Sequence, residues 1–353
     1  MAVRSARRVP AHSRLEVKPV TKALVTGAAG FIGSTLVDRL LADGIEVVAI
    51  DSFEDFYPRA IKLANLSSAS GDPGFRLIEG SLLDLGRPDR AGGCASLVRD
   101  AIADVDHVFH LAAQAGVRAS WGRSFRTYTD NNILATQLLL EECKDVGVRR
   151  LVYASSSSVY GDSTQLPLKE DGPCRPLSPY GVTKLAGEQL CDLYHRNHGV
   201  PTVSLRFFTV YGPRQRPDMA FHRFIRAMLE GREIAIFGDG KQTRDFTFVE
   251  DIVSGLLAAR DAPTGLVLNV GGGARVSLLD AVHALEEATE RPARLRLQAQ
   301  EAGDVRHTWA DVTQARSELG FAPQATLVEG LRREFDWLRA LPPELLQMPA
   351  PAE

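Results

Sequence analysis

Tyr180 and Lys184 stand four residues apart in SPYGVTK, residues 178–184. If Gly181 to Leu190 is helical, that spacing puts phenol and ammonium on one face. A tyrosine titrating near ~10 is a poor base at neutral pH, but a cation beside it lowers that value. A serine hydroxyl near both completes a group able to take a proton from an alcohol. Hydroxyls crowd VYASSSSVYGD, residues 152–162, where four consecutive serines close what reads as a buried strand. Serine packs poorly there. The Y-x-x-x-K spacing alone is common on amphipathic helices, so its weight depends on its surroundings.

Those surroundings begin with TGAAGFIG, residues 26–33, which follows a strand and opens a helix. Gly27, Gly30 and Gly33 permit a tight turn, close backbone approach to a pyrophosphate, and helix–strand packing. Asp51 closes the second strand in VVAID, 18 residues after Gly33. A carboxylate there can accept both ribose hydroxyls and would repel a 2′-phosphate, which favours NAD over NADP. The cationic nicotinamide ring would then join Lys184 in lowering the tyrosine pKa.

The elements that must hold these residues alternate cleanly from Lys22 onward. KALVTG, IEVVAID, FRLIEGS, VDHVFHLAA, RRLVYASSSS and PTVSLRFF read as strands, with helices such as FIGSTLVDRLLADG between most of them. Alternation of this kind predicts an α/β fold with a doubly wound parallel sheet, a Rossmann architecture. The dinucleotide domain is expected over 21–210, with a returning segment at about 246–273 that includes the strand LVLNVGG. Residues 211–245 and 274–342 read as a smaller C-terminal substrate-binding lobe, with GPRQRPDMAF, IFGDGKQTRDF and the stretch from Val276 onward loop-rich apart from helices such as HRFIRAMLEG. Residues 1–20 read as a disordered extension and 343–353 as a tail.

At 353 residues, 44% hydrophobic and 24% charged, the composition suits a globular enzyme. The net charge of -3 offers no footprint for nucleic acid or an anionic membrane. No apolar run reaches the ~18–20 residues of a spanning helix. The basic start MAVRSARRVPAHSRLEVKPV lacks an apolar core, so it is not a secretory signal; an organelle transit peptide is the other reading of such a start. Cys94, Cys143, Cys174 and Cys191 form no C-x-x-C pair, so no metal site or disulfide framework is indicated, and a reducing, cytoplasmic setting is expected.

Taken with HLAAQAGVRAS, DNNILAT, SSSSVYG, LRFFTVYGP and GDVRHTWAD, these motifs resemble the extended short-chain dehydrogenase/reductases of the nucleotide-sugar epimerase/dehydratase family, in family order from about residue 22 to 315. The resemblance implies a tightly held NAD that removes a hydride from the sugar, with Tyr180 as base, Lys184 on the ribose and Ser156 bonded to the reacting oxygen. Phe31, Ile32, Ala112, Ala113, Asn131 and Phe207 fall where the family lines its cofactor site. Ser81, followed by Leu82, stands where many relatives have an acid near the adenine, which puts those contacts in doubt. The family often pairs into a homodimer through two helices, for which LATQLLLEECKD and the Tyr180 helix are the candidates.

Ser156, Ser157 and Ser158 narrow the chemistry. The 4,6-dehydratases carry T-D-E at these positions, and the decarboxylases typically keep a glutamate before VYG. Serines do not ionise near neutral pH and cannot replace those groups. That leaves a 4-epimerase. Thr209, the RPDMA motif and DSFEDFYPRAIKLANL resemble UDP-glucuronate 4-epimerases more than UDP-glucose 4-epimerases. Arg216 is then the candidate for the sugar carboxylate. Oxidation at C4 of glucuronate makes a β-keto acid, so Thr209, Ser157 or Ser158 and Arg216 would have to hold the carboxylate in the ring plane to slow loss of carbon dioxide. Arg244, Asp304 and Arg306 suit the diphosphate and ribose, and Phe237 suits stacking near uracil. The alternatives are a 4-epimerase of UDP-glucose or UDP-N-acetylglucosamine and, in another class, a catalytically silent NAD-binding sensor.

Overall fold

The computed structural model describes residues 21–87, 93–299 and 305–346. The basic start 1–20 and Asp304 lie outside the described residues. Pro343–Leu346, expected within the tail, form a short helical turn.

Each apolar run read as a strand takes its place in one sheet. They are β1 (Lys22–Thr26), β2 (Glu46–Asp51), β3 (Phe75–Glu79), β4 (His107–His110), β5 (Arg150–Ser156) and β6 (Thr202–Phe207). A seventh strand, Leu266–Val270, pairs beside β6. The spatial order is seventh strand, β6, β5, β4, β1, β2, β3, and every pairing is parallel. The chain therefore winds outward from β1 in both directions, and the crevice between β1 and β4 lies where the winding reverses. Ligands bind at such a switch point, beyond the carboxyl ends of the strands.

Both faces of the sheet are covered, so β4, β5 and β6 are buried at nearly every position on both faces. On one face Val98, Leu139, Leu140 and Cys191 pack against Leu24, Val108 and Leu151. On the other, Leu36, Val37 and Leu40 of the helix Phe31–Ala42 join Val25, Phe109, Val152 and Leu205. That second core continues without a break into the C-terminal lobe through Phe221, Ile225, Ile252 and Leu285. At about 25 cal/mol per Å² of apolar area removed from water, this continuity ties the lobe to the sheet.

The lobe holds pairings that periodicity does not show. Ile234–Phe237, read as loop, is a strand running parallel to Leu295–Gln298. Thr243–Arg244 pairs antiparallel with Val276–Ser277. These strands are two to four residues long, too short for a period-2 pattern to register, and their partners are distant in sequence.

Candidate functional site

The turn after β1 is built for an anion. Gly27 has φ +68°, and a Cβ on it would stand 2.8 Å from the backbone N and Cα of Ala112, so only glycine lets β1 and the β4 loop approach this closely. Gly30 caps the helix Phe31–Ala42 with no side-chain hydrogen bond, and the first turn carries no acidic residue. The N–H groups of that first turn are left for a ligand, and the helix dipole favours a negative one. Asp51 is buried at the end of β2, its carboxylate accepting from Ala29 N–H at 2.9 Å and Phe53 N–H at 2.8 Å. Those two bonds aim the group and leave lone pairs for hydroxyl donors.

These residues line one cleft of about 220 Å³ over the switch point. Gly27, Gly30, Phe31, Ile32, Gly33 and Asp51 line it together with Ser81, Leu82, Ala112, Ala113 and Asn131, and so do Tyr180, Lys184, Phe207 and Arg216. Ser81 caps its own turn, accepting from Leu83 N–H at 3.2 Å. A pyrophosphate at the uncapped helix end and a ribose diol at Asp51 suit this donor set, so the residues present fit a dinucleotide.

Two buried polar clusters brace the lining around Ala112, Ala113 and Asn131. Asn132 sits in a π-helical turn, Thr129–Leu134, that places Asn131 in the cleft and turns Asn132 toward the β4 loop. Asn132 accepts from Gln114 N–H at 2.7 Å and donates to Gln114 O and Thr183 Oγ1, while Thr183 donates to Tyr180 O. One amide thus joins the loop carrying Ala112 and Ala113 to the helix carrying Tyr180. Behind it, Thr26 Oγ1 accepts from Ala112 N–H and Thr136 donates to Asn132 O. His110 therefore accepts from Thr26 through Nδ1 and donates to Thr136 through Nε2. Burial, with Lys184 adding to it, pushes His110 down to about 3, so this imidazole is a neutral strut.

Tyr180 and Lys184 share the helix Pro179–His198, capped by Ser178, whose Oγ accepts from Gly181 N–H at 3.1 Å. The close seat of this helix on the serine strand requires Gly181, where a Cβ would come within 2.6 Å of Ser158 O. Ser156 Oγ accepts from Ser158 N–H at 3.1 Å and stands near enough to the Tyr180 hydroxyl to act on it. Burial pushes that hydroxyl up, opposed by Ser156 and by the field of Arg216. Arg216 is thus one cation whose field reaches the Tyr180 hydroxyl, and the Lys184 ammonium lies over the Tyr153 ring, 4.5 Å from its centroid.

Burial pushes Lys184 down to about 8. A lysine whose folded pKa lies below its unfolded value binds fewer protons when folded, so stability rises with pH across the window from about 8 to the ordinary lysine value of 10.5. The melting temperature of the native protein minus that of Lys184→Met is therefore expected to grow between pH 8 and 10, as read by scanning calorimetry.

A second cavity of about 180 Å³ is lined by Ser157, Ser158, Thr209 and Arg244 together with Val117 and Thr308. Phe237 and Arg306 line neither cavity. Phe237 lies under Arg118, whose guanidinium carbon is 4.6 Å from the ring centroid. Arg306 is gripped by both oxygens of Asp239 at 2.8 Å. Phe56, Tyr57, Lys62 and Gln114 line the main cleft without having been singled out in the sequence. The segment DSFEDFYPRAIKLANL was noted there only as a whole, and which of its side chains turn inward depends on a loop in which Phe53 takes φ +51°.

The sequence model of the NAD dependent epimerase/dehydratase family matches residues 23–271. A Bacillus subtilis protein called uncharacterized UDP-glucose epimerase YtcB is 45% identical over 323 residues, 91% of this chain and 98% of its own. The UDP-glucuronate 4-epimerase of Thermodesulfobacterium geofontis is 37% identical over 316 residues, 89% of this chain and 95% of its own. The crystal structure of UDP-glucuronic acid 4-epimerase from Bacillus cereus, in complex with UDP-glucuronic acid and NAD, superposes with a TM-score of 0.84 at 44% identity, covering 90% of this chain and 99% of that one. With the uncapped glycine turn, Asp51, Tyr180 and Lys184 on one cleft, the chain belongs to the NAD dependent epimerase/dehydratase family.

Proposed function

We propose that the protein is an NAD-dependent isomerase that epimerises a UDP-sugar at C4, acting on UDP-glucuronate to give UDP-galacturonate. The observation that carries the substrate is Arg216, which reaches the same cleft wall as Tyr180. A guanidinium there can pair with a sugar carboxylate, an interaction worth about 1.5–3 kcal/mol. The named activities of the Thermodesulfobacterium and Bacillus cereus relatives support the same choice.

NAD, held by Asp51 and the glycine turn, would supply the hydride acceptor and donor for C4. The chain supplies the rest. Tyr180 accepts the proton of the sugar hydroxyl and gives it back, and Ser156, whose oxygen already accepts from Ser158 N–H, directs its own hydrogen toward the reacting oxygen. Asp51 and the first turn of the helix Phe31–Ala42 anchor the dinucleotide. Ser157, Ser158 and Thr209 line the adjoining cavity, where they can hold the sugar and its carboxylate, and Arg244 lies on the same wall for the diphosphate. No carboxylate stands at Ser156–Ser158, so the site lacks the acid–base pair of a dehydratase.

The test is to incubate purified protein and NAD with UDP-glucuronate and follow the anomeric protons by NMR. Growth of UDP-galacturonate without a pentose product is expected; Arg216→Ala should lower that rate and raise the share of decarboxylated product. Turnover of UDP-glucose with none of UDP-glucuronate would replace this reading with a neutral-sugar 4-epimerase. The Bacillus subtilis relative's name favours that second reading.

We also infer a homodimer in the cytoplasm. Leu134, Val182 and Leu193, along the two helices named for pairing, are about half exposed, an apolar surface suited to a second copy. Sedimentation as a monomer at micromolar concentration would rule this out. None of the four cysteines is bonded to another, which agrees with a reducing compartment, and among the described residues no helix is long and apolar enough to cross a membrane.

A further inference from the structure

Arg216 already has a carboxylate partner that epimerisation does not call for. Asp218, two residues on, accepts from Arg216 Nε at 3.0 Å and from Nη2 at 2.8 Å. This side-on grip takes one edge of the guanidinium and leaves the Nη1 edge for a second acceptor. Both side chains are about four-fifths buried, 20% and 22% exposed, and the Phe56 ring backs the guanidinium at 5.8 Å. Arg216 lines the cleft, whereas Asp218 stands behind it, outside the lining. Burial opposes ionisation of Asp218, but Arg216 holds its carboxyl below the usual carboxylate range. The wall facing the sugar is therefore one cation backed by one anion.

A paired arginine selects differently from a lone one. A lone buried guanidinium is left without a counter-charge when a neutral sugar fills the site, and that cost rejects the neutral sugar. With Asp218 in place, Arg216 is satisfied whichever sugar arrives. A uronate carboxylate docking on the Nη1 edge must also share the cation with Asp218 and meets its repulsion across one guanidinium width. We propose that Asp218 is a positioning residue that sets specificity: by aiming Arg216 and cancelling its charge, it lets the site turn over a neutral UDP-hexose alongside a UDP-uronate. This rests on the UDP-glucuronate reading above.

Asp218→Asn keeps the shape and one acceptor and removes the charge. The experiment measures kcat and KM of the native enzyme and of D218N, loaded with NAD, for UDP-glucuronate and UDP-glucose. The ratio of kcat/KM for uronate over hexose is expected to rise about tenfold in D218N. The change should be carried by KM, falling for the uronate and rising for the hexose, with each kcat within about threefold. A merely structural role would depress both substrates alike, so an unchanged or lower ratio overturns the proposal while the uronate activity stands. Native enzyme that turns over only UDP-glucuronate also overturns it. Native enzyme that turns over only UDP-glucose removes both the proposal and the reading beneath it. Should D218N fail to fold, Asp218→Ser, which also removes the charge, is held to the same ratio.

Discussion

Tyr180→Phe is expected to lower kcat about a thousandfold, inside the range of roughly 10²–10⁴ that a positioned acid–base group contributes. The replacement keeps the ring, and with it the edge contact to Tyr128 at 6.3 Å. It removes only the hydroxyl on which Ser156 acts. The fold should therefore survive, and KM should move little, because the lost interaction matters most as the proton leaves the sugar. The pH profile gives a second check. Because burial raises Tyr180 above its ordinary value, with Ser156 and Arg216 opposing, native kcat/KM should rise with pH on its acid limb as the phenol ionises, and that limb should vanish in the variant. Residual activity above a tenth of native would remove Tyr180 from its role as base.

Glu188→Ala is expected to cost about 3–5 kcal/mol of stability by urea unfolding, the penalty for stranding a buried charge. Glu188 lies one turn beyond Lys184 and pairs with Arg206 through two bonds, 3.0 Å to Nε and 2.5 Å to Nη2. Both side chains are almost wholly buried, at 5% and 2% exposure. Arg206 directs its Nη1 donors to the Tyr160 hydroxyl at 2.7 Å and Glu170 O at 3.0 Å, and Tyr160 in turn donates to Asn269 on the seventh strand at 2.7 Å. Every member is satisfied, so removing one leaves the others short. Replacing the pair together, Glu188→Leu with Arg206→Met, should restore most of the stability, since a dry apolar pair has no desolvation cost. Activity should not return with it. Ser155 donates to Glu188 at 2.8 Å, and that bond ties the end of β5, where Ser156 stands, to the helix carrying Tyr180 and Lys184. A loss below about 1 kcal/mol for Glu188→Ala would mean that water reaches the site and the pair is not a closed network.

What the residues alone determined is the part of the protein that is local. Short buried apolar runs alternating with helical stretches could be read because strand runs of a few residues and period-3.6 helices are both local patterns. The glycine turn, Asp51 and the Tyr180–Lys184 spacing could be read because each needs fixed residue types at fixed short separations. The four serines could be read because what they lack, a carboxylate, is visible without any geometry.

Only the tertiary structure decided which distant groups meet. Arg216 lies 36 residues beyond Tyr180 in sequence, yet its charge reaches the phenol, because the loop after β6 brings it to the same cleft. Phe237 lies under Arg118, and Arg306 is held by Asp239; residue types suited to a nucleotide do not reveal which protein group occupies them. The short strands of the lobe and the Asp218 behind Arg216 were out of reach for the same reason. Their positions follow from the path of loops and the packing of one core across sheet and lobe, and no period in the sequence encodes that path.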